Sequence, residues 1–337
     1  LEMSIDRRNS YYRTQHQNVH QGRFLLTLNL DQRFYANAGV GLSHFHTRLS
    51  YRRDALDTLA RRNELYPNPH AYARYNFKND GYIQFTYSGW INYPDFVQTF
   101  DITDDSDPLL ITHGNPDLES YWTHTFRTSF QKPAGKRKTT LYASAEYSFE
   151  TSSISQTESY DPATGIRQTR PENVEGSWNT SAYASASIPL DSKNRFNLSP
   201  SLNFFYRERH GYFASSDNPG LNQVNRNTDL QLSPALNFTY RQGKLFLATY
   251  NSLHLRFERN SSSPASDQSS RVLNSRVEAQ YEFPWGMTAS TDFGYYGMRG
   301  FTAAMLNNDQ WLWNAHISQS FLKKKNLIVA LEARDLL

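Results

Sequence analysis

The chain has 337 residues, of which 38% are apolar and 20% charged, with a formal net charge of +3 and a mean hydropathy of −0.71. Those values exclude a bundle of membrane helices, because nothing in the sequence approaches the roughly 18 uninterrupted apolar residues that a spanning helix needs. The 22 Tyr, 21 Phe and 6 Trp argue against disorder, the absence of Cys excludes disulfides and thiolate metal sites, and the dispersed charge gives no case for nucleic acid.

No charged and then apolar leader opens the sequence at Leu1. The first strand is predicted near Gly22, and from there period-2 alternation recurs while helical periodicity is almost absent. Gly39, Val40 and Gly41 lead into no helix, so they are not a phosphate-binding loop. Leu141, Ala143, Ala145, Tyr147 and Phe149 alternate with Thr140, Tyr142, Ser144, Glu146 and Ser148. Leu198, Pro200, Leu202, Phe204 and Tyr206 do the same against Asn197, Ser199, Ser201 and Asn203, as do Leu230, Leu232, Leu236 and Phe238 against Asp229, Gln231 and Asn237. Leu273, Val277, Ala279, Tyr281 and Phe283 repeat the pattern opposite Asn274, Arg276, Glu278 and Gln280. In a strand the two sets point to opposite faces. One face is thus apolar over about 9–11 residues, the span of a tilted membrane strand. About 14 such strands are predicted, the last ending near Arg334.

The links between them sort by length. Short ones fall at residues 31–33, 78–81, 131–138, 191–194, 241–244, 284–286 and 322–326, and long polar ones at 52–66, 93–118, 151–177, 207–227, 258–271 and 297–310. The two classes alternate, as in an up-and-down transmembrane β-barrel with short periplasmic turns and longer extracellular loops. A soluble sandwich has no reason to sort its links in this way. Trp178, Tyr206, Tyr240, Phe283, Trp311 and Trp313 lie near predicted strand ends, where amphipathic rings form girdles at the lipid–water boundary. With the long links outside, both chain ends also fall outside. Residues 1–337 therefore read as one incomplete barrel with further strands expected on either side. Hydrocarbon does not tolerate open edges, so those further strands are expected to fill the gap between residues 24–30 and 327–334, with no backbone ladder directly between the two.

Several segments carry a resemblance. They include Ser88, Gly89, Asn92, Pro94 and Phe96; then Asp107, Pro108 and Leu109; then Gly114, Asn115, Pro116, Asp117 and Leu118. Residues 171–178, the turn at Pro284, Trp285 and Gly286, residues 321–326 and the closing 333–337 continue it. In this order they resemble the barrel region of TonB-dependent receptors, within the outer-membrane β-barrel family abundant in Bacteroidota. The resemblance implies a barrel of about 22 strands, a preceding plug, and one strand beyond Leu337. It also implies energy coupling through the TonB system. Further partners follow from it: outer-membrane lipid and lipopolysaccharide, and a surface lipoprotein.

For function, this implies active uptake of a scarce nutrient across the outer membrane, with chelates, oligosaccharides and peptides all left open. The alternative is a non-transporting barrel serving in adhesion or in an assembly or secretion complex. No nucleophile elbow, triad order or zinc helix is present, so no enzyme is expected; no catalytic residue, cofactor or metal is assigned. Asp101, Asp104, Asp105 and Asp107 lack the full calcium-loop spacing. His44 and His46 share a strand face, expected to be the wet one, without an evident third ligand. Lys323, Lys324 and Lys325 read as a solvated turn. Tyr93, Phe96, Phe100, Tyr212 and Phe213 are the candidate ligand contacts in the long loops, since aromatic platforms suit sugars and chelates.

Overall fold

Chains that alternate in this way satisfy their backbone polar groups only by pairing sideways. A computed structural model describes residues 10–53, 56–78, 80–135, 139–215, 218–321 and 327–337. In chain order its strands are β1 (Tyr11–Asn29), β2 (Phe34–Arg53), β3 (Leu56–Phe77), β4 (Gly81–Asn92), β5 (Thr103–Asp107) and β6 (Leu110–His113). Then come β7 (Tyr121–Ala134), β8 (Thr139–Glu150), β9 (Ser153–Asp161), β10 (Ile166–Val174), β11 (Trp178–Pro189) and β12 (Phe196–Ser215). β13 (Asn218–Gln242), β14 (Leu245–Asn260), β15 (Gln268–Glu282), β16 (Met287–Arg299), β17 (Asp309–Phe321) and β18 (Leu327–Ala333) complete the set. The helical content of the described residues is three short 3-10 turns, at Phe96–Thr99, Pro264–Ser266 and Ala304–Leu306.

Fourteen strands form one up-and-down antiparallel sheet in the order β1-β2-β3-β4-β7-β8-β11-β12-β13-β14-β15-β16-β17-β18. β1 pairs only with β2 and β18 only with β17, so the described sheet is open. Among the described residues no ladder joins 24–30 to 327–334, in keeping with the expected gap.

Register places the apolar set together. Ala143 lies opposite Phe130 and Ala184, Ala145 opposite Thr128 and Ala182, Leu202 opposite Ala184, and Leu232 opposite Phe204 and Leu255. The polar set falls on the other face, with Gln231 opposite Phe205 and Arg256, and Glu146 opposite Arg127 and Ser181. Aromatic rings bound the apolar face above and below. The upper row includes Tyr147–Trp178 and Trp178–Tyr206, with ring centroids 5.8 and 4.9 Å apart, and Tyr295–Trp311 at 4.6 Å. The lower row includes Phe77–Phe130 at 6.0 Å, Phe196–Tyr240 at 4.4 Å and Phe283–Trp285 at 4.7 Å. Phe196 and Tyr206 stand about ten residues apart on β12, which at ~3.3 Å per residue and a tilt of about 40° gives the ~25 Å of a membrane barrel's apolar band.

Two predicted loops are corrected. The described residues of 52–66 and 207–227 are the upper legs of long hairpins rather than loops: β2 and β3 remain paired up to Arg53 and Leu56, and β12 and β13 up to Ser215 and Asn218. β1 likewise begins at Tyr11 rather than near Gly22. Above the lipid both faces meet water or other loops, so the apolar–polar alternation that marks a membrane strand fades while the pairing continues. The turn at 322–326, with Lys323, Lys324 and Lys325, lies outside the described residues.

Candidate functional site

The long links 93–118 and 151–177 build a second, four-stranded sheet in the order β5-β6-β10-β9. It includes one parallel pair, Leu110–Thr112 against Arg167–Thr169. A ladder this short holds little by itself, and side chains clasp it. Asn115 is fully buried: its Nδ2 donates to Pro171 O at 2.8 Å, and its Oδ1 accepts from Arg170 Nη2 at 2.8 Å and Asp117 N at 3.0 Å. Asn173 Nδ2 donates to Glu119 O and Ser152 O, both at 3.0 Å, and its Oδ1 accepts from Glu119 N at 2.8 Å. Gly114 is needed because a Cβ there would stand 1.8 Å from Phe100 O. Asp107 closes the turn between β5 and β6 by accepting from Leu109 N at 2.9 Å, and Asp104 accepts from Ser106 N at 3.1 Å. The acidic run is thus spent in part on local turns.

This assembly is anchored to the wall at two places. β11 reaches only as far up as Trp178, opposite Glu208, leaving the upper edge of β12 bare of a partner strand. Loop groups cap it: His210 N donates to Ser177 Oγ at 3.1 Å, Tyr212 N to Ser155 Oγ at 3.3 Å, and Tyr212 Oη to Asn173 O at 2.9 Å. On the other side, Leu49 and Tyr51 on the inner face of β2 are buried against Val97, Phe100 and Ile102. Arg13 on β1 bridges to Asp95 at 3.1 Å.

The candidate contacts therefore have different surroundings. Tyr93 is 46% exposed, stacks on Tyr66 at 5.8 Å and touches Phe45 at 5.3 Å. It borders a recess of about 190 Å³ whose other walls include Arg13, Gln17, Arg62, Glu64 and Asp95. Phe100 packs within the loop–wall contact, and Tyr212 is tied to the loop backbone. Phe213, 39% exposed, follows Tyr212 in the same strand, so the two side chains point to opposite faces and cannot form one platform. Phe96 opens a 3-10 turn, and its side chain lies outside the described set. His44 and His46 sit on the outer face of β2 with Leu42, not on the wet inner face; His44 stacks on His20 at 6.3 Å and His46 Nδ1 meets Asn63 Oδ1. Among the described residues no group of three or more His, Cys, Asp or Glu is arranged to hold a metal ion.

Below the loops, the inner face carries a lattice of charge pairs that the sequence had marked only as polar. Asp229 accepts from Arg256 Nε and Nη2 at 3.1 and 3.0 Å and from Gln231 Nε2 at 3.0 Å, with Arg207 at 3.5 Å. Asp292 meets Arg276 at 3.3 Å and Asn314 Nδ2 at 3.1 Å, and Arg127 bridges to Glu146 at 2.5 Å. Near the mouth a polar recess of about 320 Å³ opens among Arg207, Arg209, Asn227, Asp229, Glu258 and Asn260. These cross-strand partners are separated by 16 or more residues in sequence, so only register brings them together.

Residues 5–337 match the model of an outer membrane protein beta-barrel family. No curated protein and no solved structure gives a significant match.

Proposed function

The chain belongs to this outer membrane protein β-barrel family and resides in the outer membrane, and from that premise we propose that it forms part of a TonB-dependent transporter that takes up a scarce nutrient. The observation that carries this reading is the inner face. It is mostly polar, with its apolar patch at Leu49 and Tyr51 covered by the 93–118 loop, is crossed by the Arg127–Glu146, Arg256–Asp229 and Arg276–Asp292 pairs, and ends in two open polar recesses. A wall of this kind suits a hydrated cargo with many hydrogen-bonding groups, while the loops clasped above it narrow the entry. Tyr93 is the exposed ring best placed to meet such a cargo, beside Arg62 and Glu64. The role is binding and passage rather than chemistry. The partners are the TonB system and plug that the family resemblance implies, and a surface lipoprotein at the loop face.

Transport is tested by uptake. Cells lacking the gene should lose uptake of one class among chelates, oligosaccharides and peptides, and collapse of the proton gradient should abolish that uptake in wild-type cells. In Tyr93→Ala the half-saturating concentration should rise about tenfold, the effect of losing ~1.4 kcal/mol of contact, with the barrel still folded. Uptake that survives collapse of the gradient would sink the active-transport reading. Loss of surface attachment without any uptake defect would replace it with the adhesive one.

A further inference from the structure

The hairpin formed by the upper halves of β2 and β3, with β1 beside it, is covered on one side only. Its inner face buries Leu49 and Tyr51 under residues of the 93–118 loop. Among the described residues nothing covers its outer face: from residue 42 to 52 the exposed positions are Leu42, His44, Arg48, Ser50 and Arg52, while Ser43, Thr47, Leu49 and Tyr51 are buried. That outer face is basic. Arg48 is directly opposite His16 on one side and Arg61 on the other. Arg52 lies over the Tyr12 ring at 5.3 Å. Like charges directly opposite each other across a strand pair are destabilising, and among the described residues neither Arg48, Arg52 nor Arg61 forms an ion pair. Among the described residues the nearest acid on this face by register is Asp57, opposite Arg52; Glu64 belongs to the inner face, where it pairs with Arg62. Two other arginines near the outer mouth are neutralised within the chain, Arg299 by Asp309 at 2.5 Å and Arg259 by Asp267 at 3.6 Å.

Height identifies what relieves this repulsion. Phe34 follows its lower turn as Phe196 follows its own, and His44 stands about ten residues above Phe34, level with the aromatic row that Tyr206 joins. Arg48 and its partner Arg61 are then ~10 Å higher, outside the apolar band and within the headgroup layer. We propose that the outer face of β1–β3 around Arg48 and Arg61 is a docking site for the phosphate groups of lipopolysaccharide in the surrounding outer leaflet. Guanidinium groups take phosphate oxygens in bidentate fashion. A phosphate seated between Arg48 and Arg61 turns a like-charge pair into a bridged one. The site is on the opposite side of the wall from the nutrient path, so it does not depend on the transport reading.

The test compares the protein extracted from its own outer membrane with Arg48→Gln/Arg61→Gln, and with Arg299→Gln as a control on the opposite flank. Wild type and the Arg299→Gln variant should retain lipopolysaccharide through purification, and the double variant should retain on the order of tenfold less. Unchanged heat-modifiability on gels shows that the barrel is folded. Re-adding lipopolysaccharide to delipidated wild type should raise its unfolding temperature; lipopolysaccharide stripped of its phosphates, or phosphatidylglycerol, should not. Equal retention by the double variant overturns the proposal. So does equal stabilisation by phosphatidylglycerol or by the dephosphorylated lipid.

Discussion

In the wall, β13 meets β12 along an unbroken register from Tyr240 up to Asn222. In the outer sheet, β6 meets β10 over three residue pairs. The wall is a continuous ladder in which any one side chain is a small part of the whole. The outer assembly is a short ladder held by a few side chains that reach backbone groups more than 50 residues away, Asn115 to Pro171 and Asn173 to Glu119. Long pairing tolerates substitution at one point; a clasp does not. The wall should therefore respond to environment, lipid or lumen, and the outer assembly to single contacts.

Gly114→Ala should give the largest effect, because its Cβ would meet backbone rather than a movable side chain. Such a clash is expected to cost about 4 kcal/mol or more of local stability, enough to open the 93–118 loop. Limited proteolysis should then cut between β4 and β7 while heat-modifiability of the barrel stays unchanged. Gly41→Ala, in the wall, meets nothing closer than 3.7 Å and should leave both readings alone. If Gly114→Ala unfolds wall and loop together, the two regions are not energetically separate.

Within the wall the contrast is between faces. Leu232 shares its face with Phe204 and Leu255, and Gln231 shares the other with Arg256. Leu232→Arg should cost roughly 2–4 kcal/mol in lipid vesicles and Gln231→Arg much less. Denaturant titration of the folded barrel measures both, and equal costs would mean that the faces are misassigned.

The same division explains what could be read from the residues in advance. Leu141 to Phe149 and Leu198 to Tyr206 declare themselves because lipid on one side and water on the other impose alternation. Pairing above the lipid does not, and Arg52 to Tyr66 looked like a loop although its described residues are paired as a hairpin. The short strands β5, β6, β9 and β10 do not sort apolar from polar residues by face and left no period to find. Tyr93 and Phe100 are both loop aromatics seven positions apart, yet one is exposed on Tyr66 and the other packed on Leu49 and Tyr51. That difference is set by where β2 and β3 place their inner faces, which no local pattern encodes. The segments that carry the family resemblance turned out to hold the clasp and its turns, through Asp107, Gly114 and Asn115.

One device is common to both regions, and it gives the smallest expected effect. An Asp opens tight turns by accepting from backbone N–H groups ahead of it: Asp31 from Arg33 and Phe34 at 2.7 and 2.9 Å in the wall, and Asp161 from Ala163 at 2.9 Å at the tip between β9 and β10. In Asp191 the turn is tightest. One oxygen accepts from Arg195 N at 2.7 Å and Phe196 N at 3.0 Å, the other from Arg195 Nε at 2.8 Å, and Asn194 takes a positive φ of 53° to let the chain return. Hydrogen bonds from the Arg195 side chain first, then from the backbone of Phe196 and Arg195, hold the Asp191 carboxyl down at about 2. For Asp31 the Arg33 backbone, and for Asp161 the Thr164 hydroxyl, lower the carboxyl as well. A carboxyl depressed on folding contributes stability that is complete above its unfolded value, near 4. That contribution falls away as pH drops through the folded value. For Asp191 the window therefore runs from about pH 4 down to about pH 2. Asp191→Asn keeps most of the turn geometry but removes the charge, so it should lower stability slightly at pH 7 and flatten the acid limb of the profile. Hydrogen exchange of Arg195 and Phe196 amides, followed from pH 5 to the lowest pH the barrel survives, reads this turn alone. Faster exchange in wild type as the acid limb is descended, converging on the variant, is the expected result. Parallel profiles at every pH would mean that the charge at Asp191 contributes nothing and that the turn is held by Asn194 and the ladder on either side of it.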